Sequence, residues 1–459
     1  MITRDEEITD TSAQQAAREH TEQLGAWVAG LRWSDVPTRV QDRLGLVLLD
    51  TLGVCLVGAR QPEHRRLVEV WRPVPGPAPI VGTSVCTAPE TAAWVNALAL
   101  VRLELDEGNK YARGHPAAHG FPVVLALAAE LRAPGPVTMA ALAAAYEVSS
   151  RFGRATQLRA GTHPHGNWGV PGAAAGCARL LGLTAQQTAA AIDTGAGNPV
   201  AGHFASALDG NPVRDTWIGA SNVSGLAAAR LAAAGLARNT GTAAFSLGAL
   251  LGEFHAAEVS TALGERWDVE LGYFKRHASC SFTHPAADAV LALRPRLLTD
   301  GLDEIEEIVV ETHSLGAGLA RTSWDARLGA LFSIPFVVAA ALVHGHVRPS
   351  VSEGAALDDP QVRALAARVV VRAAPDLDAR LPAERAARIT VRRPAGNLVA
   401  EVPNPVGDSA HHPFGLAELT ALLTDLLGDA GPVEVLTETV TALPTASDAS
   451  ALLTRLAHL

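Results

Sequence analysis

A change of texture near residue 265 constrains the fold of this chain more than any other feature. Upstream of it, alanine- and leucine-rich segments repeat with helical period at about 13–31, 36–57, 88–101, 121–132, 137–153, 170–182, 184–196 and 219–234. Ser34 or Asp35 suits the N-cap of the second segment and Gly58 its end. Many positions are Ala or Gly, which permits close helix approach, so residues 1–260 read as nearly all helical. Downstream, β-branched runs take over at 305–312 (IEEIVVET), 367–373 (ARVVVRA), 387–393 (RITVRRP) and 397–403 (NLVAEVP). The last two flank a hairpin-like Ala395-Gly396. Helical patterns at 284–296, 330–345 and 359–368 lie between the strands, and 415–428 and 447–458 are helical again. The predicted fold class is mainly α with an α/β lid. Both chain ends (1–264 and 406–459) form a large helical domain, and a smaller α+β domain (265–405) is inserted between them.

Composition narrows the function classes. With 459 residues, 48% of them apolar, the chain is globular and has ample material for a large core. The first twenty residues carry Arg4, Asp5, Glu6 and Glu7 and no apolar run, so no secretory leader is expected. Residues 328–347 are the longest apolar candidate for a membrane span. Pro335, His344, Gly345 and His346 interrupt or end that stretch, so a buried helix and no membrane partner are expected. Cys55, Cys86, Cys177 and Cys280 are scattered without paired spacing, which suits the reducing cytoplasm. A formal charge of −10 without a basic run argues against nucleic acid. An acidic chain still binds anions where a cleft gathers cations locally. Only two of the 37 Lys and Arg residues are lysines, Lys110 and Lys275, and both lie in polar, motif-like segments.

Residues 103–122 (LELDEGNKYARGHPAAHGFP) crowd Glu104, Asp106, Glu107, Asn109, Lys110, Tyr111, Arg113, His115 and His119 between apolar helices. Gly108, Gly114, Pro116, Gly120 and Pro122 predict a break in the helix across this stretch. Acids, a base and imidazoles on one loop suit proton transfer, although a solvated helix–helix loop has the same composition. A second polar loop, GTHPHGNWG (161–169), opens an apolar helix and offers His163 and His165 beside an anion-binding helix start. A third cluster, YFKRHASCSFTH (273–284), places Lys275, Arg276, His277, Cys280 and His284 at the texture change, where a domain interface would form a ligand site. Arg214 in GNPVRDTW is a fourth candidate, with an ordinary solvated ion pair as its alternative. His115 and His119 have i,i+4 spacing but alanines between them in place of the HExxH pattern, so no metal is assigned. A GxSxG elbow, a glycine-rich phosphate loop and a dinucleotide fingerprint are all missing.

Taken in order, LLDTLGVCLVGAR (48–60), LELDEG with GHPAAHGFPVVLALAAE (114–130), AYEVSSRFGRA (145–155), HPHGNWGVPGAAAGCARLLGLTAQQ (163–187), FKRHASCSFTHPAADAVLAL (274–293) and ALFSIPFVVAAALVHGHV (330–347) resemble the MmgE/PrpD superfamily. That superfamily includes 2-methylcitrate dehydratase, cis-aconitate decarboxylase and iminodisuccinate epimerase. The resemblance covers roughly residues 20–430. It implies the two-domain architecture above, a homodimer, and no metal or organic cofactor. It also implies a cofactor-independent lyase, dehydratase or decarboxylase, that acts next to a carboxylate of a small di- or tricarboxylate.

Carried over by position, His115, His163 and Lys275 match the family's functional histidines and lysine, while Asp106 and Glu107 stand at its acidic pair. Arg214 replaces a lysine, and Cys280 stands where members have Cys or His. Glu104, Lys110, Tyr111 and His277 join Arg214 and Cys280 as substrate-binding candidates. Three departures are expected to retune the pocket: Gly108 in place of a threonine, Arg214 in place of lysine, and Phe336 in place of a tyrosine. The alternatives are an epimerase, isomerase or cyclase on the same scaffold, a metal-dependent hydrolase, and a non-catalytic binding protein.

Overall fold

The computed structural model describes residues 11–459; Arg4, Asp5, Glu6 and Glu7, on which the leader expectation rests, lie outside the described residues. The chain is mainly helical with small sheets. Helices Thr38–Ala59, Pro89–Val101, Pro116–Leu131, Gly135–Ala155, Val170–Leu180 and Val213–Ala233 pack on one another through small residues. A Cβ at Gly58 would collide with the Ala99 carbonyl, and one at Gly176 with Val124. Gly58 therefore marks a close helix approach, and the helix runs past it to Ala59.

Two apolar clusters organise the molecule. The first gathers side chains from Leu24 to Ala278 and is completed by Phe414, Leu419, Leu423, Leu436, Leu453 and Leu456. The second joins Ala207 to residues between Cys280 and Leu398. It is built on a four-stranded sheet ordered Leu398–Val402, Ala387–Arg392, Glu307–Thr312, Val369–Ala373. The first two pairings are antiparallel and the last is parallel. Alternation along Ala387–Arg392 buries Ile389 and Val391, and helix His284–Asp300 packs on this part of the sheet. The apolar stretch within 328–347 forms the buried helix Ile334–His344, ended by Gly345 in the left-handed region (φ 78°). Among the described residues, no helix is long and apolar enough to cross a membrane.

Three local expectations are corrected. Residues 62–87 are not simply helical: after helix Pro62–Trp71, strands Pro75–Ile80 and Val85–Thr87 form a hairpin in a Pro/Gly-rich stretch that has no helical period. Ser34 and Asp35 lie in a short 3-10 turn, and the next helix starts after Pro37 without a side-chain cap. The third correction matters for the site. Helix Pro116–Leu131 runs unbroken through Pro122, against the predicted interruption. Proline lacks the N–H that would bond to the Ala118 carbonyl. The Asn222 amide repairs the gap: Nδ2 donates to Ala118 O at 2.9 Å, and Oδ1 accepts from Val123 N–H at 3.0 Å.

Candidate active site

The polar loop is rigid because its own side chains tie it down. Asn109 Oδ1 accepts the N–H groups of Tyr111 and Ala112, while its Nδ2 donates to Asp268 O at 2.8 Å. Gly108 and Asn109 pair antiparallel with Tyr273 and Gly272, which stitches the first polar cluster to the third. Helix Val213–Ala233 begins six residues before the predicted 219, so Arg214 falls in its first turn and points back at the loop.

The result is a ladder of buried charges. Lys275 Nζ lies 3.2 Å from Glu104 Oε2 and 3.5 Å from Asp106 Oδ1. Asp106 Oδ2 lies 3.0 Å from His115 Nδ1. Arg214 pairs with Glu104 and with Asp215 (2.9 Å), and donates to Val101 O at 2.7 Å. Burial disfavours charge on Lys275, but Asp106 and Glu104 outweigh it and hold the ammonium above its ordinary value. Burial likewise opposes ionisation of Glu104, yet Arg214, Lys275 and His115 bring its carboxyl down to about 2. Behind the loop the balance reverses. Burial, with repulsion from Asp106 on both and from Asp50 on Glu107, pushes Asp50 and Glu107 up to about 8.

Hydrogen-bond geometry assigns the imidazole protons. His115 Nδ1 donates to Glu107 O at 2.7 Å, with Asp106 Oδ2 beside it at 3.0 Å as an ion-pair partner, so it carries a proton and leaves Nε2 as the second position. His163 Nδ1 accepts the His165 N–H at 3.1 Å, so in the neutral ring the proton resides on Nε2. His119 is committed on both sides, donating from Nδ1 to His115 O and accepting Gly166 N–H at Nε2. Burial lowers the pKa of His115 and, more strongly, those of His163 and His165. These shifts favour the neutral form of each ring.

A cavity of about 50 Å³ is lined by Glu104, His115, His163, His165, Arg214 and Cys280 together with Tyr273, Ser281, Phe332 and Arg385. Six residues singled out in the sequence thus meet there: Glu104, His115, His163, His165, Arg214 and Cys280. Asp106 and Lys275 stand one layer behind, reaching the cavity through His115 and Glu104. Burial raises the Cys280 thiol to about 11, so it stays protonated.

The remaining candidates point elsewhere. The Glu107 side chain accepts from Ala117 N–H at 2.7 Å and lies near Tyr146, so it caps helix Pro116–Leu131, and only its backbone carbonyl touches His115. Lys110 is buried on Asp408 and the Ala383 carbonyl. Tyr111 stacks under Arg154. His277 bonds to Asp288 at 2.9 Å. Phe336 packs edge-on to Trp324 in the second apolar cluster, away from the cavity. Tyr273, Ser281, Phe332 and Arg385 join the lining without having been among the candidates named above. Tyr273 and Ser281 fall inside a motif already noted, whereas Arg385 carries no local signal.

Among the described residues, no group of three or more His, Cys, Asp or Glu side chains is arranged to hold a metal ion. The sequence profile of the MmgE/PrpD N-terminal domain matches residues 22–253, and that of the MmgE/PrpD C-terminal domain matches residues 277–442. The chain belongs to the MmgE/PrpD family. Three curated proteins are similar to this chain along most of their length. The cis-aconitate decarboxylase-like protein oryM of Aspergillus oryzae is 28% identical, over 75% of this chain and 78% of its own. The cis-aconitate decarboxylase of Aspergillus terreus is 26% identical, over 84% and 85%. The human cis-aconitate decarboxylase is 26% identical, over 78% and 77%.

Proposed function

We propose that this protein is a cofactor-independent lyase that removes carbon dioxide or water next to a carboxylate of a small di- or tricarboxylate. The observation that carries the reading is the alignment of Lys275, Asp106 and His115, in which the Asp106 carboxylate stands between the ammonium and His115 Nδ1 while His115 lines the cavity. The relatives named above support decarboxylation. In that reaction the C–C bond to the departing carboxylate breaks, carbon dioxide leaves, and the electron pair left behind takes a proton. His115 rests neutral, but an arriving carboxylate favours its charged form, and Asp106 already favours it. Substrate binding thus arms the acid. His163 stays neutral and offers Nε2–H to developing enolate charge, a role suited to a desolvated imidazole.

Dehydration is the second reading, favoured by the neutral resting His115, which is ready to take a proton first. The two apolar clusters support a helical domain built from both chain ends with an inserted α+β domain closing on it. A homodimer in the cytoplasm completes the proposal, and sedimentation tests the dimer. The cavity has room for only a few waters, far below the roughly 300 Å³ of typical ligand pockets, so substrate entry requires the clusters to separate.

Proton NMR in D₂O tests the chemistry, with cis-aconitate and a panel of 2-hydroxy di- and tricarboxylates as substrates and His115→Gln as control. Loss of one carboxylate with deuterium on the product identifies the decarboxylase, and a new alkene with all carboxylates retained identifies the dehydratase. No product and no exchange with any of them overturns the reading.

A further inference from the structure

We propose that Arg385 anchors a carboxylate of the substrate remote from the one undergoing reaction, which restricts the substrate to di- and tricarboxylates. This rests on the lyase reading above and assigns the residue that gives it specificity.

The buried arginines among the described residues are Arg151, Arg214, Arg385 and Arg393. Arg151 faces Glu147, Arg214 faces Glu104 and Asp215, and Arg393 faces Asp300. Arg385 has no carboxylate within ion-pair distance among the described residues, although it is only 7% exposed. Its Nη1 donates to Ser281 Oγ at 3.1 Å and lies 3.4 Å from Tyr273 Oη, and its Nη2 donates to Lys110 O at 3.3 Å. Of five guanidinium N–H groups, three therefore meet neutral acceptors. Nε–H and one Nη2–H are left, enough for a two-point grip on a carboxylate. A buried cation with neutral partners and spare donors at the wall of a cavity is an anion site awaiting its charge.

Lys275 and Arg214 cannot play this part. Lys275 meets Glu104 and Asp106, and Arg214 meets Glu104 and Asp215. Two cations against three carboxylates repel an incoming anion; Arg385, helped by exposed Arg113 on the same cavity, reverses the sign. The backbone here is also pinned. Asn404 Oδ1 accepts Arg385 N–H at 3.1 Å, and Thr312 Oγ1 donates to Ala386 O at 3.1 Å. The guanidinium is thus positioned before any ligand arrives.

The test uses the full chain, with tricarballylate as an inert probe in titration calorimetry and cis-aconitate in steady-state kinetics. Arg385→Gln should weaken tricarballylate binding and raise KM by about 30-fold or more, while kcat changes by less than about threefold. Arg385→Lys keeps the charge without the fork and should lose about tenfold. Arg385→Gln that melts like wild type and binds tricarballylate within about threefold of it overturns the anchor. If that variant does not fold, an unchanged dissociation constant in Arg385→Lys overturns it equally. Wild-type protein that turns over cis-aconitate while Arg385→Gln keeps its KM sinks the anchor alone. Wild-type protein that neither binds tricarballylate nor transforms any carboxylate of the panel sinks the lyase reading and the anchor together.

Discussion

The phenol of Tyr273 fills the space into which a side chain at Gly108 would project, since a Cβ there would overlap its Oη and Cζ. The two residues also pair through their backbones. The Tyr273 hydroxyl that occupies this space lies within reach of Arg385. Gly108→Thr is expected to lower stability by about 2 kcal/mol and raise KM, because Tyr273 must leave its place. In a Tyr273→Ala background most of that stability penalty should vanish. Denaturant unfolding of the four proteins measures this coupling, and additive losses would show that the two side chains do not compete.

Asp106→Asn preserves shape but lets the amide donate toward His115 Nδ1, which favours the wrong tautomer, and it removes one carboxylate from Lys275. kcat should fall by about 10²–10⁴-fold with KM changed little. Steady-state kinetics at matched pH decides it. A drop confined to KM would make Asp106 a binding residue.

Asp50 and Glu107 are buried acids whose pKa values are raised to about 8. An acid that holds its proton more tightly when folded contributes stability that is complete below its unfolded value near 4. That contribution is lost as pH rises through about 8. Glu107→Gln should therefore flatten the decline in stability between about pH 5 and 8, by up to about 1.4 kcal/mol per pH unit. Urea unfolding across that range reads the slope, and parallel wild-type and mutant profiles would place Glu107 in its ordinary ionised state.

Asn222→Ala strands the Ala118 carbonyl and the Val123 N–H inside helix Pro116–Leu131, at an expected cost of about 2–4 kcal/mol. Pro122→Ala restores an N–H that can bond to Ala118 O, so Asn222→Ala should be milder in that background. Thermal melts of the single and double variants check this, and equal losses in both backgrounds would mean that Asn222 does not act as the splint.

Most helices and all four strands of the sheet were legible from periodicity, because each depends on residues a few positions apart. So was the crowding of chemistry into 103–115, 161–169 and 273–284. What local patterns could not reveal are pairings across the chain. Pro122 reads as a helix breaker until Asn222, a hundred positions later, is seen to bridge the gap. Lys110 and Lys275 look equivalent as the two lysines of an arginine-rich chain. Yet Lys110 is tied to Asp408, while Lys275 meets Glu104 and Asp106. Arg214 has the right charge for a substrate carboxylate, but Glu104 and Asp215 already face it. Arg385 gave no signal, because its significance lies in the carboxylate it lacks.

The first apolar cluster is closed by residues from Phe414 onward, which pack on helix Thr38–Ala59 so tightly that Leu423 leaves no room for a Cβ at Gly53. The polypeptide emerges from the ribosome in the opposite sense. Helix Thr38–Ala59 is synthesised early, and its partner arrives only after the whole second cluster has been made. In the interval the nascent chain displays an apolar face with no covering segment, and its contacts span hundreds of positions, which slows closure. Closure of the first cluster therefore waits on residues 414–456.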